Sequence, residues 1–457
     1  MMIKRLTFFL VMVGVIFCFQ ESVFPEQPRI FEAPLFTEKI PPAPEVFSKD
    51  EVAMKPGELF TLPRCYALSL RESELIAINA DRVKETEARF LQALSIMMPH
   101  ISFISNDLQE SIPDDSGTFS TQKPSKSSDR RFNYNQTLFS GFKAFAGMKG
   151  ANLERKQRIN EMIRAEQLLL LDVSDAFYTL METREDLNAL DDTKKSLMKR
   201  IVELRARERL GRSRQSEVVN AKAQLYGVES TIELVKSNED VARQILEFLI
   251  GGPIGETKDH YPVPSELMVE EYYLSRSALR PDVEAAKYAW QTAVQASKIV
   301  DSDFLPTVSV DGNYYTQRTG FDEGTDWDIT LSVNVPIFEG TETLGRSKEY
   351  ALKAHESKLL FERAKRVAPY DIKDAYVKLK AAIAVYECLK KAFDTAKLNY
   401  HLQRKDYERS LVSNLDVLAA IQTLEESHRN YIRALYAAKR LYWRLRVAAA
   451  EDITESF

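Results

Sequence analysis

The sequence predicts a mainly α-helical protein with a membrane-facing β part, built twice from one unit of a strand pair followed by a long helical hairpin. Three observations carry this. Segments of the chain repeat one another 199 residues apart, nine-residue stretches alternate strictly between apolar and polar residues, and two stretches of some 65 residues hold an almost uninterrupted helical pattern.

The repeat is found by self-comparison. Leu138-Phe139-Ser140-Gly141 resembles Ile337-Phe338-Glu339-Gly340, and Val173 to Leu180 resembles Ile372 to Leu379. Glu217-Val218-Val219-Asn220-Ala221 resembles Asp416-Val417-Leu418-Ala419-Ala420 in the same register. Upstream, Pro99 to Phe103 matches Pro306 to Val310 at an offset of 207, the difference falling in the loop between the strands of each half. Two repeats are therefore expected, at 66–255 and 275–450, joined by a linker at 256–274.

Ahead of them, Lys4 and Arg5 precede an apolar run from Leu6 to Phe19. As a helix it reaches only about 21 Å, short of the roughly 30 Å bilayer core. Basic residues before a short apolar run read as a secretory signal over residues 1–22. Cys18 could carry a lipid, although Phe17 stands where a lipoprotein signal wants a small residue. Residues 23–65 begin with six prolines in 23–48 and read as an extended segment. Residues 451–457 form a tail.

Strand signals are clearest in the second half. Trp327 to Val335 places apolar residues at every odd position and polar ones between them. Val308, Val310 and Tyr314 share one face with Gly312 in Thr307 to Tyr315. Such alternation puts one face in an apolar medium and the other in water, and nine to eleven residues is also the span of a transmembrane strand. Ile329, Leu331 and Val333 would face lipid, and Thr330, Ser332 and Asn334 the lumen. Ile101 to Phe103 and Phe132 to Leu138 form the matching pair of the first half, with Gln109 to Arg130 as a solvated loop. A soluble four-stranded sheet packed on helices fits the same alternation.

The helical stretches run from about Lys143 to Leu210 and from Arg346 to Ser410, with Pro369 expected to kink the second. Leu180, Leu187, Leu190, Leu197, Ile201 and Leu204 recur at three-, four- and seven-residue spacings, the seam of a coiled coil. A helix of roughly 100 Å belongs to a rod or to the wall of a tube.

Composition excludes several functions. With 62 Lys and Arg against 67 Asp and Glu, the net charge of −5 does not suit a chain wrapped around nucleic acid. Three Cys and five scattered His form no zinc site, and Cys65 and Cys388 are expected to be single packed thiols. No phosphate-binding glycine loop, nucleophile motif or paired-His motif appears, so neither enzyme activity nor a cofactor is expected.

The duplicated strand-pair and hairpin unit, with Leu-Phe-x-Gly after the second strand, resembles the TolC family of outer-membrane efflux proteins. The resemblance spans nearly the whole mature chain. It is most specific at Leu138 to Gly141, at Pro336 to Gly340, at the hairpin tips Gly211 to Ala221 and Tyr407 to Leu418, and at Arg280-Pro281-Asp282-Val283. It implies a homotrimer with a 12-stranded barrel in the outer membrane, continued by a periplasmic helical tube. The implied function is a passive exit duct of an efflux or type I secretion system, served by an inner-membrane pump and a periplasmic adaptor. It further implies a periplasmic gate at Glu217, Tyr407 and Asp416, with the Tyr407 phenol reaching a carboxylate at Glu217. Adaptor docking would fall on the tips, at Gly211, Gln215, Ser410 and Asn414. The sequence departs from the family at Ser410, which replaces a tip glycine. It departs again at Val412, where a well-studied member has a gating arginine, and at Ala419, where that member has a second Asp. Asp416 also fits a capping box with Ser413, so gate and cap both stand. The rival reading is a soluble periplasmic coiled-coil adaptor without a pore.

Overall fold

The computed structural model describes residues 59–109, 126–319 and 324–451. The expected signal, Cys18, most of the proline-rich segment and most of the tail lie outside the described residues. A short helix α1 (Leu62–Glu72) precedes two copies of one unit. The first copy is α2 (Glu74–Ser95), β1 (His100–Gln109), β2 (Lys126–Ser140), α3 (Lys143–Arg209) and α4 (Gln215–Ile250). After α5 (Glu270–Ser275), the second copy is α6 (Pro281–Asp301), β3 (Thr307–Arg318), β4 (Trp327–Asn334), α7 (Glu342–Glu408) and α8 (Asn414–Ala448).

The duplication extends to the backbone. Both long helices follow two consecutive residues with left-handed φ, Gly141 (60°) with Phe142 (67°) and Gly340 (63°) with Thr341 (77°). Both hairpin turns use the same conformation at equivalent positions, Gly211 (70°) and Ser410 (62°). Serine there costs about 1 kcal/mol, because its Cβ approaches the following carbonyl.

Helices α3 and α7 have 67 residues each, about 100 Å at ~1.5 Å per residue. α7 continues through Pro369. The fully buried Arg280 donates to Ala368 O (3.4 Å) and Asp371 (3.1 Å) beside that proline. Near the strands the helices lie side by side in the order α2-α3-α6-α7, and toward the hairpin turns in the order α4-α3-α8-α7. The long helices thus run through both tiers of one wall. Acidic and polar residues of α3 tie the halves together along α8. Glu182 accepts from Arg440 (2.9 Å), Glu185 from Tyr436 (2.8 Å), and Asp186 from both ends of the Arg429 fork (2.7 and 3.0 Å).

At mid-height the linker is pinned to this wall. Phe60 and Thr257 form a parallel bridge. Asp259 pairs with Lys439 and accepts from Tyr178, whose hydroxyl accepts from the buried Trp443 (3.2 Å). Cys65 is buried there, and burial pushes its thiol up to about 12, leaving it inert. Cys388 does not pack as expected: it is exposed on α7, the outermost helix of the wall, where no second helix covers it.

The four strands form one antiparallel sheet in the order β1-β2-β3-β4. The first pair is longer than the sequence indicates, because 126–130, read as loop, pairs with 105–109. That stretch has polar residues on both faces, so alternation gives no signal. It is held instead by polar contacts such as Ser128 Oγ to Asp107 (2.6 Å). No described helix is long and apolar enough to cross a membrane.

Candidate functional site

Strand register sorts the sheet into two chemically distinct faces. Ile329, Leu331 and Val333 stand opposite Gly312, Val310 and Val308. They are 44%, 64% and 62% exposed. One row crosses all four strands as Phe103, Phe132, Tyr314 and Trp327. Phe139, Phe142 and Phe145 cluster at the β2–α3 joint. Aromatic rows flanking an apolar band are the pattern of a strand sheet at a membrane interface.

The other face is a hydrogen-bonded ladder. Asn133 donates to Asp311 (3.1 Å) and Asn313 (3.0 Å), and Asn313 donates to Asp328 (2.8 Å). Asp328 also accepts from Tyr315 (2.7 Å). Both edges, β1 and β4, lack a partner strand among the described residues.

At the far end of the wall, the two hairpin turns pack through one apolar cluster. It includes Leu197, Ile201 and Leu204 of α3, Val218 of α4, Tyr407 of α7, and Val417 and Leu418 of α8. Val412 packs against this cluster. Gly211, Gln215 and Ser410 are exposed at the turns. Asn414 is not: it is 2% exposed and accepts from Arg200 Nε (2.9 Å). The turn presents Leu411 and Leu415 instead, which are among the exposed apolar residues.

The three gate candidates flank the two hairpin turns, each in a different setting. Glu217 accepts from Ser213 Oγ (2.6 Å) in the first turn of α4. Asp416 is exposed and completes a capping box: it accepts from Ser413 N (2.8 Å) and Ser413 Oγ (2.7 Å), and its own N–H reaches Ser413 Oγ. The Ser413 hydroxyl and the backbone N–H hold its carboxyl below the usual range, so it is ionised. Tyr407 is buried with two guanidinium groups close to its ring centre, Arg200 at 3.6 Å and Arg207 at 4.3 Å. Sequence reasoning missed these arginines. They stand seven residues apart, in register with the apolar seam of α3, and that spacing was their signal. No group of three or more His, Cys, Asp or Glu suited to a metal occurs among the described residues.

Residues 275–451 match the family described as Outer membrane efflux protein. The chain is 21% identical over 323 residues to the outer membrane protein TolC of Vibrio cholerae, covering 66% of this chain and 72% of that protein.

Other likenesses agree. The alkaline protease secretion protein AprF of Pseudomonas aeruginosa is 21% identical over 309 residues, covering 64% of this chain and 63% of AprF. The crystal structure of the outer membrane protein VceC of Vibrio cholerae superposes with a TM-score of 0.76 at 20% identity, covering 85% of this chain and 95% of VceC. CusC gives 0.75 at 14% identity, covering 85% and 91%. These likenesses extend over the first unit as well, beyond the residues matched by the family.

Proposed function

We propose that three copies of this chain form an outer-membrane exit duct for an efflux or type I secretion assembly, with the sheet in the lipid and the helical wall in the periplasm. One observation carries the proposal: a single-layer sheet with an apolar face, a polar face and two open edges. Open edges are not tolerated in lipid. An even number of strands leaves β4 antiparallel to the β1 of a following copy, so copies joined head to tail close a barrel of twelve strands with no edge left. The wall has the same unfinished character. Val219, Tyr226, Leu234 and Phe248 are exposed along α4 at one side, and Leu352, Val377, Val385 and Leu398 along α7 at the other. A soluble scaffold would have no use for the exposed apolar sheet face.

The mouth of the duct is the ring of hairpin turns. Glu217 and Asp416 from three copies bring six carboxylates to it, a charge pattern that favours cations over anions. The exposed turn residues Gly211, Gln215 and Ser410 are where a periplasmic adaptor, coupled to an inner-membrane pump, would dock. Asn414 serves that contact from inside, by fixing the turn that carries Leu411.

Mass measurement in detergent should give a trimer, and planar bilayers should show cation-selective pores whose selectivity falls in Glu217→Gln. Cysteines at Gln215 and Leu411 should crosslink to an adaptor in cells. A detergent-independent monomer without conductance would overturn the duct.

A further inference from the structure

The repeat makes two pairs of helices equivalent. α7 corresponds to α3, and α8 to α4, each at a spacing of 199 residues. Toward the hairpin turns the two units of one chain meet through α3 against α8. In a head-to-tail ring the corresponding contact between copies is α7 of one against α4 of the next. Each residue of the internal joint therefore has a counterpart at the outer one, and the two can be compared position by position.

The internal joint is held by charge. Buried Asp186 takes both ends of the Arg429 fork, Glu185 accepts from Tyr436, and Glu182 accepts from Arg440. Further along, Trp443 donates to Tyr178 (3.2 Å). None of these pairs recurs at the outer joint. Asp186 with Arg429 becomes Val385 with Ser230, and Glu185 with Tyr436 becomes Ala384 with Ser237. Glu182 with Arg440 becomes Ala381 with Val241, and Tyr178 with Trp443 becomes Val377 with Gln244. All of these counterparts are exposed in the single chain, and no charge is left among them. The difference decides which helices can pair. Were this face of α8 to pack on α7 of another copy, Arg429 would lose water opposite Val385 and gain no carboxylate. Were α4 to pack on α3, Asp186 would be stranded in the same way. One member of a buried ion pair left alone costs far more than the pair contributes.

We propose that α7 and α4 of neighbouring copies join through a charge-free seam, with Val385 and Ala384 of one copy against Ser230 and Ser237 of the next, and that the ion ladder of α3 and α8 sorts the internal joint from this one. The occupant of each exposed face is a second copy of this chain. This rests on the reading of the copies as a head-to-tail ring. It adds the register of the contact and gives the ladder a part in choosing partners, since two joints of identical backbone design differ only in what their side chains demand. The ladder closes within each chain as it folds. The seam gains its stability from apolar surface withdrawn from water when folded chains meet.

Two measurements on the full chain in detergent test this, and neither needs a pore. In a chain whose exposed Cys388 is replaced by serine, cysteines at Ala384 and Ser237 should be joined by a short bismaleimide into covalent dimers and trimers on denaturing gels, and either cysteine alone should leave single chains. Cysteines at Glu185 and Tyr436 should instead be joined within one chain. The second measurement transplants the charges. Val385→Asp should leave the melting of the monomer unchanged, because the side chain is exposed there, and should lower the trimer fraction several-fold. Adding Ser230→Arg should restore most of it, because the two together reproduce Asp186 with Arg429. The restored trimer should be more sensitive to salt than the parent. Gln244→Arg, on the same helix but about 21 Å away, should not restore it. Trimers that form without the crosslink between 384 and 237, with a Val385→Asp defect that Ser230→Arg does not relieve, would overturn the seam and leave the ring standing. Crosslinked and charge-rescued trimers that never conduct would leave the seam standing and overturn the duct. A parent that stays monomeric in detergent would overturn both.

Discussion

Glycines 141 and 340 offer a test in which one substitution, made at two equivalent places, should fail for different reasons. Both have φ near 60°, where an alanine loses about 1 kcal/mol. A Cβ on Gly141 would also stand 2.6 Å from Ser302 O and 2.9 Å from Leu305 Cβ, in the turn between α6 and β3 of the same chain. Both neighbours are held by the α6 end, so the joint must shift, at a cost of about 1–3 kcal/mol. Gly141→Ala should therefore lower the stability of the single chain by about 2–4 kcal/mol in all. Around Gly340 nothing lies within 4 Å, and Ile337 and Phe338 beside it are 94% and 84% exposed. In a head-to-tail ring this joint meets the turn between α2 and β1 of the next copy, around Met97 and Met98. Gly340→Ala should then leave the monomer's thermal unfolding lower by only the φ cost, yet sharply reduce the trimer fraction. Circular dichroism melting of the monomer in detergent, and trimer yield by size-exclusion chromatography with light scattering, separate the two. Equal loss of monomer stability in both variants, with equal trimer yield, would refute the idea that the ring repeats the internal joint.

Ser410→Gly relieves the left-handed φ of the second turn and should stabilise it by about 0.5–1 kcal/mol, read as a higher Tm, with Gly211→Ala moving the other way. Leu331→Arg on the apolar face should cost about 2–4 kcal/mol in folding into lipid vesicles, while Ser332→Arg on the opposite face should be tolerated; equal costs would count against a membrane sheet. Glu166 of α3 is buried with Oε1 unpaired, and burial raises its carboxyl from the ordinary 4.5 to about 7. Its neutral form is the one the fold accepts, so its contribution is intact below about pH 4.5 and is lost as the pH rises through about 7. Thermal stability should therefore fall between pH 5 and 8, and Glu166→Gln should flatten that slope; an unchanged slope in the variant would assign it to other groups.

The unit and its repetition were legible because long helices and half-buried strands leave periodic traces. Trp327 to Val335 alternates without fault, since successive residues of a strand point to opposite faces. Lys126 to Arg130 could not be read, because a strand polar on both faces has no period. The tip was half legible. Gly211 announced a turn by its type, and Ser413 with Asp416 announced a helix start by spacing, as the capping box bears out. Ser410 hid the second left-handed turn under a residue that rarely takes that conformation. Asn414 looked like a surface turn residue, and only the position of Arg200, 214 residues away in sequence, buries it. The pairing of Asp259 with Lys439 is of the same kind, a contact between a linker and a distant helix that no local pattern encodes.

The identity of the two units has a consequence for how many copies a ring can hold. Within the chain, one unit meets the next through α3 against α6 and β2 against β3. That contact fixes an angle between units, and a ring that repeats it between chains inherits the same angle. In the proposed ring of three chains, six equal steps of about 60° would close the circle, and a fourth chain would require every internal joint to flatten. Ring size would then be written into the packing of a single chain before any two chains meet. A core substitution at the α3–α6 contact that opens the angle should produce not a weaker ring but one that fails to shut, growing as an open spiral from its unpaired strand edges.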